Sequence, residues 1–177
     1  MADPRLRNGP LGARLIKSSK RHYTAIRDGF NSAIAAHTTR WHLPRSERDI
    51  ELGFHGHRRY AIVVDRRVIG TCGLQFPMYS GVELVIAIFD ERMRGKGIGT
   101  FAVRALCAIA FDDLRMQRVE LGVYTFNKKA IRVYERCGFE AEARLRRFIF
   151  HEGRWQDALW MSLLRSEWTA RRRATGS

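Results

Sequence analysis

Seven consecutive residues, Arg94-Gly95-Lys96-Gly97-Ile98-Gly99-Thr100, set the strongest limit on what this chain can build. Before them, residues 82–89 form an apolar, β-branched run that reads as a strand; after them, residues 101–111 read as a helix. Glycines at such a junction let the backbone approach a ligand closely and tolerate positive φ. The helix that follows presents unpaired N–H groups and a partial positive charge. Arg94 and Lys96 add full charges. The turn therefore expects a phosphate-bearing cofactor, with a helix-capping surface turn as the plain alternative.

Spacing decides which phosphate turn this is. A P-loop needs four residues between its first Gly and a Gly-Lys-Ser/Thr end, whereas Lys96 lies between two glycines. The dinucleotide pattern Gly-x-Gly-x-x-Gly fails on Gly95, Gly97 and Gly99. What remains is Arg-x-x-Gly-x-Gly, on Arg94, Gly97 and Gly99. Here the chain resembles the GNAT superfamily of N-acetyltransferases, whose acetyl-coenzyme A turn has this form. A second stretch, Asn127-Lys128-Lys129-Ala130-Ile131-Arg132-Val133-Tyr134-Glu135-Arg136-Cys137-Gly138-Phe139, is similar to the second coenzyme motif of the same superfamily. Its residues also read without the name. Asn127 suits an N-cap. Ala130, Val133 and Tyr134 share a helix face. Gly138 stands where a left-handed residue ends a helix, and Phe139 opens the next strand. The resemblance covers roughly residues 13–168. Its C-terminal half is most similar to the branch of ribosomal-protein alanine N-acetyltransferases and spermidine/spermine N-acetyltransferases, through residues 134–139, 142–146, 153–157 and 161–164.

Length and composition fit one globular domain. The 177 residues suffice for a substantial core. No run of about 18 apolar residues predicts a membrane span, and the N-terminus has no apolar leader-like core. Cys72, Cys107 and Cys137 read as buried thiols of a reducing, cytoplasmic setting. No Cys/His spacing suggests a metal. Thirty-two Lys and Arg against 18 Asp and Glu give a net charge of +14. Such an excess favours anionic partners and argues against a polycationic acceptor. The basic clusters are scattered rather than interleaved with aromatics, so nucleic-acid binding is weakly supported.

Residues 1–12 are expected as a flexible arm, 13–168 as the single domain, and 169–177 as a basic frayed tail. A first strand over 13–17 precedes a helix over 20–39. Ser46 and Asp49 suggest the cap of a second helix. Strands at 59–64 and 68–76 flank a tight Asp65-Arg66-Arg67 turn. The strand over 82–89 and the helix from the glycine turn to 114 come next. A strand over 118–124, a helix over 127–136, and a hairpin of 139–151 with 155–164 turned at Glu152-Gly153 complete the chain. This order predicts an α+β fold. The resemblance implies a mixed central sheet, splayed at the cofactor strand and flanked by helices.

The resemblance further implies acetyl transfer from acetyl-coenzyme A to a primary amine by direct attack in a ternary complex. Main-chain groups of Ile86, Ala87, Ile88 and Phe89 would hold the pantetheine arm, one N–H facing the thioester oxygen. Arg94, Gly95, Lys96, Gly97, Ile98, Gly99 and Thr100 would hold the pyrophosphate. Ala130 belongs to the second coenzyme motif. Asn127 either contacts the arm or only caps its helix. Tyr134 is the candidate acid for the departing thiolate, or else a packed aromatic. Glu83, the one carboxylate in an apolar strand, is the candidate base, or else structural. The acceptor pocket would draw on Tyr23, Phe30, Trp41, Phe76, Met78, Tyr79, His151 and Trp155, most of which read equally as core. Asp157 is expected to pair with an arginine. The acceptor is a small-molecule amine or a protein N-terminus, and a homodimer fits the branch. A non-catalytic coenzyme A-binding module and an acetyltransferase acting on aminoacyl-tRNA are the competing readings.

Overall fold

In a computed structural model of the chain, residues 3–31, 46, 48, 57–76 and 81–174 are described. Seven strands form one sheet: β1 (Arg14–Lys17), β2 (Arg58–Val64), β3 (Arg67–Gln75), β4 (Val82–Ile88), β5 (Arg118–Tyr124), β6 (Glu140–His151) and β7 (Arg154–Leu164). Their spatial order is β1-β2-β3-β4-β5-β7-β6. All pairings are antiparallel except β4 with β5. The described helices are α1 (Lys20–Asn31), α2 (Ile98–Ala108), α3 (Lys128–Cys137) and α4 (Arg165–Ala174). The expected α+β architecture with a mixed sheet is therefore present. The expected cap at Ser46 and Asp49, and the helix beyond residue 31, fall on or beside segments outside the described residues.

Local chemistry explains most boundaries. Asp65 (φ 46°) and Arg66 (φ 63°) make the left-handed pair that turns β2 into β3. Glu152 (φ 49°) and Gly153 (φ 75°) do the same between β6 and β7. The side-chain oxygen of Asn127 accepts the Ala130 N–H at 3.2 Å and starts α3. At its end Gly138 is left-handed (φ 102°), and its N–H and that of Phe139 close onto the carbonyls of Glu135 and Tyr134. The helix after the glycine turn does not run unbroken to 114. It widens to a π segment, Ile109–Asp113, marked by the Leu114 N–H to Ile109 carbonyl bond of 3.0 Å.

The sheet alternates two faces. Leu74 of β3, Leu84 of β4, and Val119 and Leu121 of β5 join Ile98, Ala102 and Leu106 of α2 and Ile131 and Tyr134 of α3 in the main core. The opposite face carries Ala87 with Phe89, covered by Ile26, Tyr23 and Phe30 of α1. Phe30 meets Phe89 edge-on at 5.0 Å. Gly29 lets this happen, because a Cβ there would fall inside the Phe89 ring. Gly29→Ala is expected to destabilise the fold by about 1–3 kcal/mol through overpacking. That outweighs the gain of roughly 1 kcal/mol in helix propensity. Denaturant unfolding measures it, and a stabilised variant would show that α1 does not bear on Phe89.

Both ends depart from the sequence expectation. The N-terminal residues form two 3-10 turns, Pro4–Leu6 and Pro10–Gly12, docked on α2 rather than a loose arm. Arg5 binds Asp3 and, at 2.7 Å, Asp113 of the π segment. Gly9 lies so close to Phe101 that a Cβ would approach its ring to 2.6 Å. The basic tail, expected to fray from 169, continues α4 to Ala174. Trp168 stacks on Phe111 at 5.7 Å and donates to Asp112, which also pairs with Arg172 at 2.8 Å.

Candidate active site

The parallel pair of the sheet is short. β4 and β5 are in register only at Val82 with Val119 and Glu83 with Glu120. Beyond these residues the strands diverge, while β4 stays paired to β3 as far as Ile88 and β5 to β7 as far as Tyr124. A gap therefore opens between the C-terminal halves of β4 and β5. Phe89 donates to the Ile69 carbonyl at 2.8 Å. Antiparallel ladders alternate the side to which their polar groups turn. By that alternation Phe89 and Ala87 spend their main-chain groups on β3, and Ile86 and Ile88 turn theirs toward the gap. Only two of the four residues expected to line it through main-chain atoms do so.

The glycine turn stands at the open end of the gap. After the 3-10 turn Glu91–Met93, Gly95 (φ 74°) and Gly97 (φ 82°) adopt left-handed conformations. Gly97 is the N-cap of α2. The first bond of that helix runs from the Phe101 N–H to the Gly97 carbonyl, 3.0 Å. The N–H groups of Ile98, Gly99 and Thr100 precede it and point out of the helix end. The Lys96 side chain is exposed beside them, and Ile98 is buried in the core. Arg94 differs from expectation. Its guanidinium donates twice to the Ile88 carbonyl, at 3.1 and 2.9 Å, so it ties the turn to β4 rather than reaching outward. A cleft of about 550 Å³ adjoins the turn, lined by Arg5, Pro10, Gly97, Thr100, Phe101, Arg104, Ala105 and Ala108.

The two candidate catalytic residues belong to opposite faces of the sheet, Glu83 at the last paired position before the strands part. Tyr134 belongs to the α2/α3 core, 8% exposed and edge-on to Phe139 at 6.0 Å. Burial, and then Cys137, raise its phenol well above the ordinary value, so it keeps its proton through the whole working range. Glu83 shares its face with Val85 and Ala87, the α1 side. Asn127 is engaged as the helix cap, and Ala130 packs partly buried beside the core.

Glu83 does not stand alone, which the sequence did not disclose. It is cross-strand to Gln75 on β3 and to Glu120 on β5, and Glu120 in turn faces Ser162 on β7. A polar row thus crosses four strands. Glu120 is only 3% exposed and accepts from Arg118 at 3.1 Å. Arg118 and Ser162 both reach Glu142, at 2.7 and 2.6 Å, and hold its carboxyl below the usual range. A carboxylate inside an apolar strand flanked by polar residues at matching register was the available signal.

The expected acceptor-pocket residues separate. Tyr23 and Phe30 pack on Phe89, and Phe76 lies against the main core. His151 stacks on Phe126 at 4.6 Å. Trp155 is exposed at the hairpin tip against Phe150. Trp41, Met78 and Tyr79 lie outside the described residues. Asp157 pairs with an arginine as expected. Its carboxyl accepts the Arg147 N–H at 2.8 Å and the Arg144 side chain at 2.7 Å, which together lower its pKa. All three cysteines are buried, and the Cys72 thiol is pushed up to about 12 by burial. No described helix is long and apolar enough to cross a membrane.

The comparisons converge on one fold. The family profile of the acetyltransferase (GNAT) domain matches residues 17–140. Bacillus subtilis YjcK, described as a probable N-acetyltransferase, is 36% identical over 103 residues, 56% of this chain and 56% of that protein. The prophage-derived, uncharacterized N-acetyltransferase YokL of the same organism is 28% identical over 153 residues, 80% of this chain and 84% of YokL. Vibrio cholerae spermidine N-acetyltransferase, solved in complex with CoA and spermine, superposes with a TM-score of 0.78. It is 23% identical, over 89% of this chain and 98% of that one, and shows the shared fold.

Proposed function

The chain belongs to the GNAT acetyltransferase family, and from that premise we propose that it moves the acetyl group of acetyl-CoA to the primary amine of a small molecule by direct attack. The carrying observation is the fork. A gap bordered by main-chain groups of Ile86 and Ile88 leads to a helix end with outward N–H groups, and a carboxylate and a phenol belong to opposite faces of the sheet.

These residues fit acetyl-CoA. The amide-rich arm matches the main-chain groups of Ile86 and the N–H of Ile88 on this strand edge, the Ile88 carbonyl being held by Arg94. The anionic diphosphate matches the N–H groups of Ile98, Gly99 and Thr100, with Lys96 adjacent. Gly97 supplies the left-handed step (φ 82°) that starts the helix there, at a position where a Cβ would crowd Pro10 Cγ at 3.2 Å. Arg104, on the wall of the neighbouring cleft, suits the charged nucleotide end, while Arg5 beside it is engaged by Asp3 and Asp113. Arg94 acts indirectly, fixing the turn against Ile88. When bound, acetyl-CoA supplies a thioester carbonyl as electrophile and a thiolate as leaving group.

Glu83 takes a proton from the ammonium of the acceptor, so that the amine lone pair can attack. Tyr134 gives its proton to the departing sulfur from the other face. A phenol held neutral by burial is always charged with the proton it must donate. Charge near Glu83 runs against the charge of the whole chain. Glu83 presents a carboxylate to the face where an ammonium would arrive, despite the net +14, while its neighbour Glu120 is buried and paired with Arg118. This local sign favours a small cationic amine, consistent with the spermine bound by the Vibrio cholerae neighbour. It runs against the expectation, drawn from the basic surface, of an anionic acceptor, and an amine panel decides between the two.

Thiol release from acetyl-CoA, measured against a panel of small primary amines, tests the assignment. Tight acetyl-CoA binding with no turnover on any amine would favour a sensor instead. Glu83→Gln is expected to lower turnover most where the amine is still protonated. The defect should shrink as pH approaches the amine pKa, because the substrate then deprotonates itself. A defect of constant size across pH would assign Glu83 to positioning.

A further inference from the structure

Arg59 is the least expected residue on this sheet face: a guanidinium at the start of β2 that is only 8% exposed. An arginine so placed needs a partner that compensates lost hydration. Its register partner on β3 is Gly73. A Cβ at position 73 would collide with the Arg58 carbonyl and with Arg59 Cδ. The Arg59 side chain therefore lies directly over Gly73 and crosses β3 toward β4. There it meets the Gln75 carboxamide, whose two ends lie against the guanidinium and against Glu83 Oε2, the latter at 3.2 Å; a guanidinium can only donate and a carboxylate only accept, so these neighbours assign the amide oxygen to Arg59 and the NH2 to Glu83. Three strands thus contribute one chain of contacts that ends on the candidate base.

We propose that Arg59 and Gln75 are positioning residues for Glu83, a relay that fixes its carboxylate and holds it ionised beside Glu120. The inference rests on the reading of Glu83 as the base. The need for a relay follows from the register. Glu83 and Glu120 are neighbours on parallel strands, and two like charges side by side repel. A protonated Glu83 cannot accept a proton from the substrate. A hydrogen bond from Gln75, polarised by the Arg59 charge behind it, opposes that repulsion. Glu83 reciprocates. Burial lowers the guanidinium to about 10, while Cys72 and Glu83 act to raise it. Arg59 from β2 and Glu120 from β5 face Glu83, with Arg118 paired to Glu120 and His57, ahead of β2, close to Arg59. Helix α1 meets this face farther along, at Ala87 and Phe89, through apolar residues.

Side-chain carboxyl NMR of the full chain tests this without any substrate, with the Glu83 resonance assigned by its loss in Glu83→Gln. In Gln75→Leu the Glu83 midpoint should rise by about one pH unit, the size of one charge-assisted hydrogen bond. Gln75→Glu keeps the volume and replaces the donor by an acceptor. It should raise the midpoint further, and it serves if Gln75→Leu fails to fold. With acetyl-CoA and spermidine or another amine from the panel, the acid limb of kcat should move up in step, with KM for acetyl-CoA unchanged. In a Glu83→Gln background, Gln75→Leu should add no further loss. A Glu83 midpoint unmoved in both Gln75 variants overturns the relay while leaving the base assignment standing. Wild-type turnover in Glu83→Gln overturns the base assignment and the relay's catalytic purpose together, even where the midpoint moves.

Discussion

Replacing Gly97 by glutamate is expected to abolish acetyl-CoA binding. Two effects separate cleanly at this position. Gly97 has φ 82° and a Cβ there would lie 3.2 Å from Pro10 Cγ, so any side chain strains the turn. Left-handed backbone costs an L-residue roughly 1–2 kcal/mol. Gly97→Ala measures that strain alone and should weaken binding about tenfold or thirtyfold at most. Gly97→Glu adds a carboxylate at the helix end that would face the diphosphate, where like charges repel in a partly dry cradle. Calorimetry should find no heat of binding for the glutamate variant while circular dichroism reports a folded chain. Full affinity in a folded Gly97→Glu protein would remove the turn from the binding site.

Tyr134→Phe is expected to slow the chemical step by about 10²–10⁴, the usual worth of one general acid. Phenylalanine keeps the ring, so the edge-on contact with Phe139 and the packing between α2 and α3 persist. Acetyl-CoA affinity and thermal stability should therefore stay close to wild type. The rate loss should show no acid limb of its own, because burial keeps this phenol protonated far above neutrality. Single-turnover kinetics with a good acceptor make the measurement. Near-wild-type turnover would assign the proton to water or to another group.

Local chemistry carried most of the fold into view. Strand β5 and the cap at Asn127 follow from period and capping, and Gly138 from the left-handed stop. Each depends on residues a few positions apart. The features missed depend on how the folded chain turns back on itself. Arg94 was read as a charge for the ligand because its acceptor, the Ile88 carbonyl, exists only once the turn has folded back on β4. The N-terminal segment has prolines and glycines that signal a loose end. Its order comes from Asp113 and Phe101, which are about a hundred residues away in sequence. The tail reads as a frayed basic stretch until Trp168 finds Phe111 and Arg172 finds Asp112. The contacts of Arg59 with Gln75 and Glu83 belong to the same class. Period and composition show each of the three residues alone, and only register brings them together.

The fork has a mechanical side. Among the described residues, two ladder pairs make up the seam between a half-sheet of β1 to β4 and a half-sheet of β5 to β7. Helices α2 and α3 splint that seam from one face. A molecule that lies along β4 and offers amides to Ile86 and Ile88 would serve the protein as a missing rung, stitching two lobes into one body. Ligand occupancy and the stiffness of the sheet are then the same variable, read once as affinity and once as resistance to parting.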